Sequence, residues 1–256
     1  MTITAEHIVV AIRDLGVRAG DLLLVHSSLS SFGRVEGGAP AVARALLEVV
    51  SPGGTVFVPT FTYGQLPFDP STTPSLTGAI TESFRALPGA VRSLHPTHPL
   101  AAIGPDAEPI LAGHEHTNPF GPGSPLWKLW ERGAWVLLIG CDHRASSMAH
   151  VAEELVGLPY LDRTRVTKVL QPDGRYADVT VRRPGDSMGF GKLDAPLRAR
   201  GAIRDGRVGD ARLMLMRSRD VVATASEMLK RDPAALLCDD PACERCTQAR
   251  ATIARP

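Results

Sequence analysis

The chain has 256 residues, with 28 Lys+Arg against 27 Asp+Glu and a net charge of +1, so it lacks the basic excess of a dedicated nucleic-acid binder. With 44% hydrophobic and 21% charged residues it can build a large core, which excludes an intrinsically disordered chain. Four cysteines exclude a disulfide-stapled scaffold, and no apolar run approaches the ~18 residues of a membrane helix.

The opening MTITAEHIVVAIRDLG has no basic stretch leading into an apolar one, so a soluble cytoplasmic protein with mostly reduced cysteines is expected. Residues 4–15 are predicted helical, with Thr4 as cap and Ile8, Ile12 and Leu15 at helical spacing. Residues 22–25 are wholly apolar, as in a strand buried on both faces, and end in His26-Ser27-Ser28. A helix over 39–50, the breaker Ser51-Pro52-Gly53-Gly54 and a second strand over 55–59 follow. This is the grammar of a parallel α/β sheet, whose ligand crevice lies beyond the carboxyl ends of the strands. Residues 61–78 are expected to form a long ordered loop, and 80–87 a short helix. Further along, the pattern predicts a strand at 100–103, a helix at 126–132 and a buried strand at 135–139. It continues with a helix at 147–156, a hairpin around Pro172-Asp173-Gly174 and a helix near 220–231. No repeat or linker interrupts the chain, so a single domain over 1–256 is expected, with a cysteine-bearing tail at about 232–256.

Chemistry concentrates at a few places. His150 and Glu153 sit i, i+3 on a predicted helix and project from one face. A carboxylate beside an imidazole suits a general base, although an incidental surface pair has the same spacing. His26, Ser27 and Ser28 close a buried strand, where hydroxyls and backbone N–H groups can bind a polar cofactor or serve a local turn. Arg92 to His98 packs one cation and two imidazoles into seven residues, an anion site or a solvated loop. Ser124 can bind a ligand or start the helix after it. The dinucleotide and Walker glycine motifs and the G-x-S-x-G elbow are absent. Cys141 reads as a buried, inert thiol more readily than as a nucleophile. In the tail, Cys238-x4-Cys243-x2-Cys246 brings three thiols within nine residues, enough to ligate Zn²⁺ with a fourth ligand from elsewhere, or simply three reduced thiols in a turn.

The segments HSSLSSFGRVEGG, VPTFTY, FDPSTTPSLTGAI, AVRSLHPTHPLAAIG, NPFGPGSPLWKL, WVLLIGC, MAHVAEEL and GRVGDARLMLMRSRDVVATA occur in the order and spacing of a known family. The chain resembles the aminoglycoside 3-N-acetyltransferases, or antibiotic N-acetyltransferases, over roughly residues 4–230. The resemblance implies a mixed, largely parallel central sheet flanked by helices, of the antibiotic N-acetyltransferase type. It implies acetyl-CoA as cosubstrate, an amine of an aminoglycoside as acceptor (the 3-amino group) and antibiotic resistance as the outcome. His150 and Glu153 fall on the family's H-x-A-E motif as base and orienting carboxylate. His26, Ser27, Ser28, Ser31, Arg92, Ser93, His95 and Ser124 fall on its cofactor-side segments.

A cationic acceptor calls for carboxylates, with Asp69, Asp142 and Glu154 as candidates. Pro99 stands where many members carry Ser or Thr, and the loop His114-Glu115-His116-Thr117-Asn118-Pro119 stands where acidic residues are frequent. These departures fit acetylation of another amine, at a different aminoglycoside position or in antibiotic biosynthesis. A non-catalytic, metal-stabilised binding protein is the remaining alternative.

Overall fold

The computed structural model describes residues 2–116 and 118–255; Thr117, in the loop just named, lies outside the described residues. The chain opens with α1 (Ala5–Asp14). Thr4 caps it by accepting from the His7 N–H, while the His7 ring accepts from the Thr4 N–H, a reciprocal cap worth about 1 kcal/mol. Next come β1 (Leu22–Ser27), α2 (Gly38–Val50) and β2 (Thr55–Pro59), with β1 and β2 parallel. After the 61–78 loop come α3 (Ala79–Arg85), the two-residue β3 (Val91–Arg92) and β4 (Leu100–Ile103). Then α4 (Ala107–Leu111) and α5 (Pro125–Glu131) lead into β5 (Trp135–Ile139) and α6 (Met148–Val156). The hairpin β6 (Thr164–Leu170) and β7 (Tyr176–Arg182) precedes α7 (Asp194–Ala199), β8 (Arg204–Val208), β9 (Ala211–Arg217), α8 (Ser218–Arg231) and α9 (Glu244–Ile253).

The main sheet runs β3-β4-β2-β1-β5-β9-β8. Its centre, β2-β1-β5, is parallel, and both wings are antiparallel. The α/β sheet is therefore mixed, as expected, but not largely parallel: its two parallel pairings both involve β1, and the other four are antiparallel. Hairpin-like returns rather than helical crossovers join β3 to β4 and β8 to β9 at the wings. β1 explains the packing on both faces. Leu23 and Val25 point into a core shared with Ile8 and Ile12 of α1, Val42, Leu46 and Val49 of α2, and Phe84 of α3. Leu24 points the other way, into a core with Leu126, Met148, Val151, Val221 and Leu229 from α5, α6 and α8. Alternation along a strand sends successive side chains to opposite faces, so an unbroken apolar run needs helices on both.

The 61–78 loop is ordered as expected, and its partner is the hairpin. Phe68 N–H donates to Lys168 O at 2.7 Å, and Leu170 N–H returns the bond to Phe68 O at 2.8 Å. Arg165 of β6 reaches the Tyr63 carbonyl at 2.5 Å. Loop and hairpin thus form one wall above the carboxyl ends of the parallel strands.

One glycine is fixed by close approach. Gly104 follows β4 with φ +137°, and a Cβ there would lie 2.4 Å from the Gly54 carbonyl oxygen and 2.6 Å from Thr55 Cα. Backbone cannot yield as a side chain can, so Gly104→Ala should cost about 2–3 kcal/mol. A urea titration should show a lower midpoint at unchanged slope.

Candidate active site

His150 and Glu153 owe their position to the β5–α6 connection. β5 ends at Ile139, and Gly140 turns the chain at φ +63°. A cysteine and a short 3₁₀ turn capped by Asp142 bring the chain into α6. His150 therefore lies in the first turn of α6, beyond the carboxyl ends of β1 and β5, where the crevice of an open α/β sheet is expected. The i, i+3 spacing does what the sequence suggested: His150 Nδ1 and Glu153 Oε2 are 2.6 Å apart.

Glu153 is 1% exposed, and a buried carboxylate needs a partner for each oxygen. Its second oxygen, Oε1, accepts from the Tyr160 hydroxyl at 2.8 Å. Tyr160 gets there because α6 stops at Gly157 (φ +74°), a left-handed C-cap, and the chain folds back through a 3₁₀ turn at Pro159–Leu161. Burial, together with the carboxylate, holds the Tyr160 phenol well above its ordinary value, so it stays a donor. With Nδ1 donating to Glu153, the His150 tautomer leaves Nε2 as the free base. The ring is stacked on Phe120 (centroids 4.7 Å, 7° between planes) and meets Phe190 edge-on at 4.7 Å, so its orientation is set from three sides.

His150 lines an open cleft of about 810 Å³, within the range of small-molecule sites. His26, Ser27 and Ser28 line it too. His26 Nε2 accepts from the Ser147 N–H at 3.4 Å, tying the end of β1 to the start of α6. Ser27 Oγ is buried and has no partner within the protein, and Ser28 Oγ contacts Ser30 Oγ at 3.1 Å. The lining is also cationic, with Arg144, Arg165, Arg182, Arg183 and Arg245.

The remaining sequence candidates do not line the cleft, and each is engaged elsewhere. Arg92 donates to Thr60 O at 2.8 Å and Thr73 O at 2.5 Å and covers the Phe68 ring, bolting the 61–78 loop to the sheet. Ser93 Oγ contacts His114 Nδ1 at 2.8 Å and accepts from the Leu100 N–H at 2.9 Å. His95 Nδ1 accepts from the Thr97 and His98 N–H groups. Ser31 donates to Ser28 O at 2.6 Å, and Ser124 is the buried N-cap of α5.

The acidic candidates lie off the cleft as well. Asp69 is occupied by its own turn: the hydroxyls of Ser71 and Thr72 hydrogen-bond it and lower its pKa to about 2. Asp142 pairs with Arg144 at 2.7 Å. Glu154 accepts from Asn118 at 3.0 Å and lies 3.6 Å from Arg182. The carboxylate that does line the cleft is Asp186, on the segment after β7, where the sequence offered no motif. Cys141 does not line the cleft; its thiol donates to the His26 carbonyl at 3.5 Å, and burial pushes it up to about 12.

Burial lowers His26 to about 4 and His95 to about 3, and holds His98 and His114 well below the ordinary value. All four are neutral near pH 7. The unfolded chain, titrating near 6.5, binds protons that the folded chain refuses. Stability is therefore intact above about pH 6.5 and falls as the pH drops below it, by up to ~1.4 kcal/mol per unit for each histidine. The melting temperature should fall between pH 6.5 and 5, and less steeply in His95→Asn.

The chain matches the family model described as aminoglycoside 3-N-acetyltransferase over residues 24–230. Aminoglycoside N(3)-acetyltransferase IV of Salmonella sp is 38% identical over 225 residues, 86% of this chain and 85% of that protein. Aminoglycoside N(3)-acetyltransferase III of Salmonella sp is 33% identical over 264 residues, 89% of this chain and 92% of its own length. Among solved structures, a mutant of aminoglycoside acetyltransferase AAC(3)-IVa in complex with gentamicin is similar at TM-score 0.90 and 35% identity, covering 98% of each chain. The binary complex of AAC-IIIb with CoASH is similar at TM-score 0.82 and 27% identity, covering 90% of this chain and 97% of that one.

Proposed function

The chain belongs to the aminoglycoside 3-N-acetyltransferase family, and from that premise we propose that it acetylates the 3-amino group of an aminoglycoside from acetyl-CoA, by direct transfer with His150 as general base, and so confers resistance. The observation that carries this reading is the His150–Glu153 pair, 2.6 Å apart and completed by Tyr160, on the floor of the cleft. The gentamicin and CoASH complexes of the similar proteins support the substrate and cosubstrate classes.

Acetyl-CoA supplies an acetyl group already activated as a thioester. The residues present fit it: Ser27 offers a buried hydroxyl with no partner of its own, and the arginines that line the cleft complement the phosphates. The amine nitrogen bonds to the acetyl carbon, the carbon–sulfur bond breaks, and sulfur leaves as thiolate, which becomes free thiol by taking the proton from the His150 imidazolium. His150 Nε2 takes the proton the amine loses, and Glu153 stabilises the imidazolium so formed. In this reading Ser27 Oγ–H, which has no partner of its own, donates to the carbonyl oxygen as negative charge gathers there.

A second reading, transfer to a different amine, has one observation in its favour. The cleft is lined by five arginines and, among the described residues, by the one carboxylate of Asp186, whereas a polycation is best held among several carboxylates.

Thiol release from acetyl-CoA, followed with a panel of aminoglycosides and a substrate-free blank for the protein's own cysteines, separates the two. Release with at least one aminoglycoside supports the first reading. Measurable CoA binding without release favours the second. His150→Ala should lower kcat about 10²–10⁴-fold; it also leaves Glu153 Oε2 without its partner, so the melting temperature should fall, and the rate is compared at a temperature where circular dichroism shows the variant folded. Ser27→Ala should lower kcat by up to about 10²-fold. A His150→Ala enzyme as fast as wild type would remove the base from the mechanism.

A further inference from the structure

The tail that carries three of the four cysteines plays no part in the acetyl transfer, yet the fold gathers it. Cys238 follows the turn that closes the α8 region, Cys243 is the N-cap of α9, and Cys246 lies in the first turn of that helix. Their three sulfurs all lie within 4.8 Å of one another. A tetrahedral zinc with bonds of about 2.3 Å holds its thiolates ~3.8 Å apart, so the cluster needs only a small contraction to close on an ion. The Cys238 N–H already points at Cys246 Sγ, at 3.4 Å, the kind of contact that supports a charged sulfur. A second, independent observation is how little else holds α9: of its ten residues only Cys246 and Ala249 are buried, far less apolar surface than a helix usually docks with.

We propose that Cys238, Cys243 and Cys246 form a structural site for zinc or a similar thiophilic divalent ion, and that this site fixes residues 183–188, a strap that runs past Glu153. Three thiolates bind the metal and give up their protons to solvent. The fourth position is left to a water molecule. The link to the cleft runs through Arg245, between Cys243 and Cys246. Its guanidinium donates to the Pro184 carbonyl at 3.1 Å and the Gly185 carbonyl at 2.9 Å. Gly185 in turn lies against Glu153, so closely that a Cβ there would be 2.5 Å from Oε1. An ion that locks α9 thus locks the strap beside the carboxylate that orients His150.

The test is metal content of the full-length protein purified without chelator from zinc-supplemented medium, with thiol reactivity alongside. About one zinc per chain is expected. Removing it with a strong chelator should make three more thiols reactive toward a disulfide reagent than in the metal-loaded protein. Cobalt added back should give the intense near-ultraviolet absorption of thiolate bound to metal. Cys243→Ser should lower the zinc content at least several-fold. Should that variant fold poorly, the cobalt titration of the wild-type chain decides by itself. Hydrogen exchange over residues 183–188 should quicken when the metal is removed. Failure to retain either metal after reconstitution, or a disulfide between two of the three cysteines in freshly purified protein, overturns the site. Unchanged exchange in the strap on metal removal overturns its role there.

Discussion

A carboxylate with 1% of its surface exposed is the constraint on which the site depends. Taken from water without partners, the charge of Glu153 would cost several kcal/mol. The fold supplies them: an imidazole one helical turn back and a phenol from the returning chain. Each requires a piece of architecture. The imidazole needs α6 to begin at the strand ends. The phenol needs the helix to stop at Gly157 and double back. The dry surroundings need Phe120, Phe190 and the Gly185 strap. The pair therefore acts through environment as much as through chemistry, because a low-dielectric setting strengthens the bond that orients the ring.

The walls of the cleft are built with similar attention to polar groups. A loop as long as 61–78 has many backbone carbonyls to satisfy. Arg92 satisfies several at once from beneath, with its guanidinium over the Phe68 ring, 5.3 Å from its centroid. Ser93, His95 and His114 continue this support below the floor. These are the residues whose clustering in sequence suggested contact with a ligand. Their pattern is real, but it serves the loop that shapes the site. Which face a polar side chain turns to is decided by the register of β3 against β4, and a seven-residue stretch does not encode that locally.

Elsewhere the amino-acid pattern was easier to follow. The opening βαβ unit was legible because residues 22–25 are apolar without alternation, which demands cover on both faces. The cap at Thr4 was legible because its hydrogen bonds are local. His150 and Glu153 were legible because helical spacing alone brings them together. Tyr160, Asp186, Arg165, Arg182, Arg183 and Arg245 were not. They reach the cleft from a hairpin, a strap and a terminal helix whose placement depends on contacts far apart in the chain. Tyr160 had the nearest thing to a signal, since the Gly157 that reverses the chain sits just before it. Ser124 was readable both ways, and its role as a cap is the one the geometry displays.

The wings of the sheet carry a consequence of their own. A sheet that ends in open strands invites a neighbouring chain to add to it. Here one margin is β3, only two residues long, too short to template another strand. The other is β8, whose Arg204, Asp205 and Arg207 place alternating charge along the margin, with Asp205 held by Arg198 and Arg212. The main sheet thus offers a second copy no long, uncharged margin to pair with.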